Sequence, residues 1–373
     1  MTAVHELGKA LPDYAELRVH ENRTASINFL NGDCMSNARS VSRGASARVF
    51  KNGAWGFASG ALCERAELTR LVDTAAGNAE ILGPRLRKRR SIARQGGAFE
   101  ERHDFSTGFA RRSDAELTDF LKELDAYVEK SCPGLTTRSV SLATLEMQKE
   151  LASSEGGYSY SMIPRCFIML NLGLKNGGEP VEHYRLFGGF GQFEDHFTEP
   201  SALFAGIDRH YDELLRKKDA VFARAGVHDV ILAPELTGLL AHEAIGHTTE
   251  ADLVMAGSVA GDYLGREVAS PLVSLVDFAN TAYGKTCPQP IFVDDEAMPA
   301  RDASIIEGGI LKGFMHNRES AARLGMEPTG NARAYAFSDE PIIRMRNTAF
   351  LPGSDKLEDM IASIEDGYYL VQR

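Results

Sequence analysis

The sequence has no run approaching the roughly 20 consecutive apolar residues that a bilayer-spanning helix needs. Its N-terminus also lacks a charged start followed by an apolar stretch. No membrane contact is therefore expected, and the default address is the cytoplasm. Cysteine is sparse: five residues, odd in number and without a Cys-x-x-Cys pair, which argues against a disulfide framework or a cysteine-only zinc knuckle. Reduced, mostly buried thiols are expected. Basic charge is in deficit, with Lys+Arg 41 against Asp+Glu 52 and a net charge of −11, a field that repels phosphate backbones and disfavours nucleic acid as a partner. There is no Gly-x-Ser-x-Gly elbow for a serine hydrolase, no internal repeat and no low-complexity tract beyond a basic run, RLRKRR, at 85–90.

What is present is an ordinary globular composition, 43% hydrophobic and 25% charged over 373 residues, enough for two or three domains. The pattern predicts an α+β fold. Residues 1–95 read as an N-terminal antiparallel sheet with helices: the segments AELRVHEN, TASINFL, ASARVF and AWGFAS are short strands, with turns at Asn31-Gly32 and Asn52-Gly53. A helix follows over 62–82, its apolar positions being Leu68, Leu71, Val72, Ala75, Ala76 and Ile81, and stops at Gly83-Pro84. Residues 83–98 read as a solvated linker.

Residues 96–225 read as a central α/β unit. Ser113 and Glu116 form a capping box for a helix to about Lys130, three long antiparallel strands follow with turns at Gly156-Gly157 and Gly177-Gly178, and a helix spans about 200–224. Residues 226–373 read as a β-rich domain: the strand DVILAP, a helix opened by Pro234, the strand IFVDDE, a hairpin turning at Gly308-Gly309, a helix near 318–324, the strand IIRMRNTAF and a helix over 354–365. Asp294-Asp295-Glu296 reads as a solvated strand end, a hard-cation site being the alternative. Gly188-Gly189-Phe190-Gly191 reads as a turn or a close backbone approach, not a nucleotide loop.

The chemistry concentrates in the helical stretch Leu239–Glu250, where His242 and His247 bracket Glu243. Imidazoles suit zinc, and a glutamate beside the first ligand can take a proton from zinc-bound water. Ligands five apart on a straight α-helix are about 140° apart and cannot share an ion. The spacing works if the helix widens into a π-bulge, or ends at Gly246 in a left-handed conformation. Glu250 and Asp252 stand nearby as acidic groups able to orient imidazole N–H groups. His316 and Arg333 could touch substrate but receive no role.

Taken with DVILAPELTGLLAHEAIGHTTEADLV, SIIEGGILKGFMHNRESAARLGMEPTGNARA and PIIRMRNTAFLPG, the chain resembles the TldD/PmbA metallopeptidase family, specifically its zinc-bearing TldD branch. That resemblance implies zinc held by His242 and His247, Glu243 as catalytic base, and short or unfolded peptides as substrates. It implies a homodimer, or a heterodimer with a PmbA-type subunit. The family's third ligand is a cysteine in a segment beyond the IIRMRNTAF region, so the resemblance implies a C-terminally truncated copy with an incomplete C-terminal domain. Cys287 lies upstream and does not match that ligand; Glu250 is the local group that could fill the position. The competing reading is a non-catalytic subunit or interaction module with an incomplete metal site.

Overall fold

Two Asn-Gly pairs set up the N-terminal half. Asn31 and Gly32 (φ 52° and 95°) and Asn52 and Gly53 (φ 55° and 78°) take left-handed backbone at successive positions, as a tight hairpin turn requires. They join β1 (Tyr14–Leu30) to β2 (Asp33–Lys51) and β2 to β3 (Ala54–Gly60) in a computed structural model that describes residues 3–8, 10–11, 14–86, 89–93 and 96–371. The expected short strands AELRVHEN and TASINFL are two parts of β1. The polar stretch Glu21-Asn22-Arg23 does not break the strand, because Glu21 and Asn22 are buried and Asn22 Nδ2 donates to the Tyr335 carbonyl at 2.6 Å.

The helix α1 (Ala3–Gly8) and the longer α2 (Arg65–Leu82) cover one face of these strands. Leu68, Leu71, Val72 and Ala75 pack with Ala15, Leu17, Ala47 and Val49; Ile81, expected on that face, is exposed. Then come β4 (Phe99–Asp104), α3 (Asp114–Ser131), β5 (Thr137–Ser153), β6 (Gly157–Asn176), β7 (Glu179–Phe190), α4 (Phe193–His196) and α5 (Phe204–Lys218). The capping box forms as expected: the Glu116 carboxylate accepts from the Ser113 N–H at 2.7 Å. The last helix ends at Lys218, short of Arg224.

All seven strands form one sheet in the order β3-β2-β1-β5-β6, with β4 (parallel) and β7 (antiparallel) sharing the outer edge of β6. Since β1 pairs with β5 from Glu16–Ser153 to Leu30–Ser139, the sheet runs across the boundary expected at residue 95. The helices α3 and α5 bury Phe120, Leu121, Leu124, Ile207 and Leu214 over Ile27, Phe29, Leu142, Ile168 and Leu170. Gly188 (φ 101°) is a close approach: a Cβ there would lie 2.2 Å from the Cys166 carbonyl oxygen.

The C-terminal part has its own core around Leu275, Ile305, Ile306, Met315 and Ile343. It opens with β8 (Asp229–Leu232), paired in parallel with Gly367–Leu370, and α6 (Pro234–Leu240). β9 (Leu275–Phe278) lies between Ala303–Glu307 and Asn347–Phe350 in a small sheet completed by Ile310–Leu311 across the Gly308-Gly309 turn. The strand expected over 342–350 is broken at Arg344–Arg346, because Arg346 turns inward onto Asp277 at 2.8 Å. The helix expected over 354–365 is Leu357–Ala362.

IFVDDE is neither a strand nor solvated. Asp294, Asp295 and Glu296 are 2%, 4% and 0% exposed. Alternation puts Glu16, Arg18, His20 and Asn22 of β1 on the face opposite the helices, and the 294–296 turn packs against it. Asp295 sits 2.6 Å from Lys149 Nζ and 3.2 Å from Arg18 Nη1; Glu296 binds Arg48 and accepts from the Arg318 N–H at 2.8 Å. Burial alone would raise the Asp295 carboxyl, but Lys149 and Arg18 hold it at about 2. Burial lifts Glu16 to about 7 against the pull of Arg48, and lowers His20 to about 3 and Lys149 to about 8.

The expected linker is partly laid down: the Arg90 guanidinium reaches Glu319 at 3.1 Å and the Ala93 N–H donates to Arg318. Arg87 and Lys88 of the basic run, and Arg94 and Gln95, lie outside the described residues. Three thiols (Cys132, Cys166, Cys287) are buried, Cys63 is half-buried and Cys34 is exposed. Among the described residues, no helix is long and apolar enough to cross a membrane.

Candidate metal centre

The five-residue histidine spacing is accommodated by the first of the two geometries it demanded. After α6 the chain widens into a π turn over Ala241–Gly246, closed by the His247 N–H donating to the His242 carbonyl, an i to i+5 bond. This brings the His242 and His247 rings to 4.7 Å between centroids, 77° apart in plane. Gly246 is right-handed (φ −55°), so it serves another purpose than a left-handed stop. A Cβ at Gly246 would lie 2.0 Å from Met345 Sδ, and the missing side chain lets the turn pack on the buried Met345.

Both histidines open onto a cleft of about 690 Å³, bordered by Glu250, Phe278, Tyr283, Cys287, Arg333 and Met345. The Glu250 carboxylate, 3% exposed, approaches His247 Nδ1 at 3.7 Å, and its Oε1 has no hydrogen-bond partner. Burial raises the Glu250 carboxyl while His247 pulls it down. Asp252 instead accepts from the Leu253 N–H at 2.9 Å and does not orient an imidazole. Glu243 is exposed beside His242 and does not border the cleft.

Among the described residues, no third His, Cys, Asp or Glu joins His242 and His247 in a set whose donor atoms all lie within 4.8 Å of one another. Such a set does occur elsewhere: His183 on β7 with His210 and Glu213 on α5. There the two Nδ1 atoms are 2.9 Å apart and burial lowers His210 to about 4. Glu213 is engaged by Arg185 at 2.5 Å, so the trio ties the helix to the sheet.

His316 and Arg333 separate. His316 is buried, bonded to Ser320 Oγ at 3.0 Å and Met326 Sδ at 3.1 Å, and lowered by burial to about 4, whereas Arg333 lines the cleft. Cys287, set aside on sequence order, also borders the cleft, together with Phe278, Tyr283 and Gln289 of the same segment. Nothing in the sequence singles out Arg344, which also lines the cleft. The broken strand that exposes it leaves no periodic signature.

Comparison with known proteins places these features. Residues 15–79 match the family model described as PmbA/TldA metallopeptidase domain 1, and residues 225–372 match the PmbA/TldA metallopeptidase C-terminal domain. A metalloprotease of Methanothermobacter thermautotrophicus is 30% identical over 367 residues, covering 96% of this chain and 76% of that protein. A zinc metalloprotease TldD homolog of Saccharolobus solfataricus is 40% identical over 148 residues, 40% of this chain and 33% of that one. The fold is that of TldE from Thermococcus kodakarensis, with a TM-score of 0.74 at 18% identity over 99% of this chain and 82% of that structure. The chain belongs to the TldD/PmbA metallopeptidase family.

Proposed function

We propose that this chain is a cytoplasmic zinc-dependent peptidase that hydrolyses short or unfolded peptides, with His242 and His247 as metal ligands and Glu243 as general base. The observation that carries this reading is the π turn, which sets two imidazoles five residues apart side by side at the mouth of a cleft. Two imidazoles suit zinc, and the Glu250 oxygen, buried without a hydrogen-bond partner 3.7 Å from His247 Nδ1, is the candidate third donor. Zinc, when bound, supplies a Lewis acid for the scissile carbonyl. The residues do the rest. Glu243, exposed beside His242 on the π turn rather than in the cleft wall, would take a proton from the attacking water as the new C–O bond forms and return it to the amine as the C–N bond breaks. Phe278, Tyr283 and Met345 give the cleft apolar walls along which an extended substrate can lie. A TldE-like relative in the same fold supports pairing with a PmbA-type subunit, or with a second copy of the chain.

Glu243→Gln tests this reading. It should keep zinc content near that of the unmodified chain and abolish peptide cleavage, because an amide cannot accept the proton. Most activity surviving in that variant would remove Glu243 from the mechanism. The second reading, a non-catalytic subunit, draws on the incomplete donor set around His242 and His247 among the described residues. It requires sub-stoichiometric, easily chelated zinc after purification without added metal.

A further inference from the structure

The cleft at the π turn adjoins a second cavity of about 490 Å³, and the two share Gln289, Arg333 and Arg344. The second cavity lies between the polar-side face of the sheet, where Met147, Ile163 and Arg165 project from β5 and β6, and the 333–344 segment. Its acidic residues are already engaged. Glu340 accepts from Arg48 Nε at 3.0 Å, and Asp339 Oδ2 accepts from the Ala336 N–H at 3.0 Å. Lys149 is held by Asp295. That leaves three guanidinium groups, Arg165, Arg333 and Arg344, none within ion-pair distance of a carboxylate among the described residues.

Two of them are desolvated. Burial pushes Arg165 down and Arg333 to about 10, so each carries a charge in a poorly hydrated place. Arg333 Nη2 donates to the Met345 carbonyl, but its Nε is buried without a partner. Arg344 is exposed at the shared rim. Asp277 and Asp295 act on Arg333, and Glu250 and Asp252 on Arg344, only from beyond ion-pair distance; a desolvated cation with no carboxylate in contact is costly, and a chain with 52 acidic side chains does not lack the means to supply one. Arg346, a few residues away, shows the alternative: fully buried, it is paired with Asp277 and bonded to four backbone carbonyls.

We propose that Arg165, Arg333 and Arg344 form a subsite that binds a carboxylate of the peptide substrate. The planar guanidinium fork accepts a carboxylate through two parallel N–H···O bonds, a geometry that ammonium or imidazole groups do not offer. The site rests on the peptidase reading for its ligand and adds a preference: peptides presenting a carboxylate beyond the bond to be cut. That carboxylate is the chain terminus or an acidic side chain near it.

The test is binding rather than turnover, so its result does not depend on cleavage. Fluorescence anisotropy on the 373-residue Glu243→Gln chain with zinc in the buffer compares three matched labelled peptides: a neutral sequence with a free C-terminus, the same sequence amidated, and the amidated sequence ending in Glu. The free acid or the Glu-terminated amide, or both, should bind about tenfold or more tightly than the neutral amide. Whichever binds identifies the source of the carboxylate. Arg344→Gln, at an exposed position that does not threaten folding, and Arg165→Gln should each reduce the difference to about twofold or less. Equal affinity for all three peptides, or a preference that survives in both variants, overturns the subsite. Selective binding by a chain whose unmodified form cleaves nothing would keep the subsite and reject the peptidase reading.

Discussion

Two neighbouring regions treat buried positive charge in opposite ways. At the seam between the sheet and the C-terminal part, Arg18, Arg48, Lys149 and Arg318 each have a carboxylate within 4 Å, supplied by Asp295, Glu296, Glu16 or Glu155. In the adjoining cavity Arg165, Arg333 and Arg344 have none among the described residues. Both regions bury positive charge and both draw on β5 or β6, although Arg344 reaches the solvent at the cavity rim. A seam whose charges cancel specifies how two parts of the chain dock. Cations left unmatched beside a cleft describe what the cleft receives.

Breaking the seam should have the largest effect. Glu296→Ala leaves Arg48 with only Glu340 and Glu16 and takes the carboxylate acceptor from the Arg318 backbone N–H, so unfolding free energy should fall by about 3–5 kcal/mol in urea titrations. A loss under about 1 kcal/mol would mean that water takes over the role of the carboxylate. Next comes the π turn, where Gly246→Val drives a side chain into Met345. Overpacking there should cost about 1–3 kcal/mol and weaken zinc binding, read by a competing chelator. Unchanged zinc affinity would detach the turn from the metal.

The seam should also sense acid. His20 has a folded value of about 3, far below the ordinary histidine value of 6.5 that holds when the chain unfolds. The unfolded chain therefore binds the extra proton, and the stability linked to neutral His20 is full above about pH 6.5 and lost as the pH falls toward 3. Each pH unit in that window should cost about 1.4 kcal/mol for this one group. His20→Gln should flatten the decline in unfolding free energy, from urea titrations between about pH 6.5 and 5, by up to that slope, and an unaltered decline would place the acid sensitivity elsewhere. Smallest of all, Arg165→Met should change stability by less than about 1 kcal/mol, since no ion pair is broken. A seam-sized loss would show that Arg165 is structural.

The difference between the regions also marks where sequence reading stops. Turns, caps and the π turn rest on local spacing: Asn31-Gly32, Ser113 with Glu116, and His242 with His247 each carry their geometry within six residues or fewer, and all three form. Charge pairing across the fold carries no such signature. Asp294-Asp295-Glu296 looks like a solvated strand end because its partners, Lys149, Arg18 and Arg48, lie more than a hundred residues upstream. The same blindness puts a break in β1 at Arg23, where Asn22 faces the seam and bonds to the Tyr335 carbonyl while Glu21 and Arg23 pair with each other on the opposite face. Cys287 and Arg344 reach the cleft by chain reversals that leave no period to detect.

The most direct test of the account is where zinc sits. Anomalous diffraction at the zinc edge, on crystals of the full chain grown with zinc, should give a peak between the His242 and His247 rings. A peak at His183, His210 and Glu213 with none at the π turn would contradict the account.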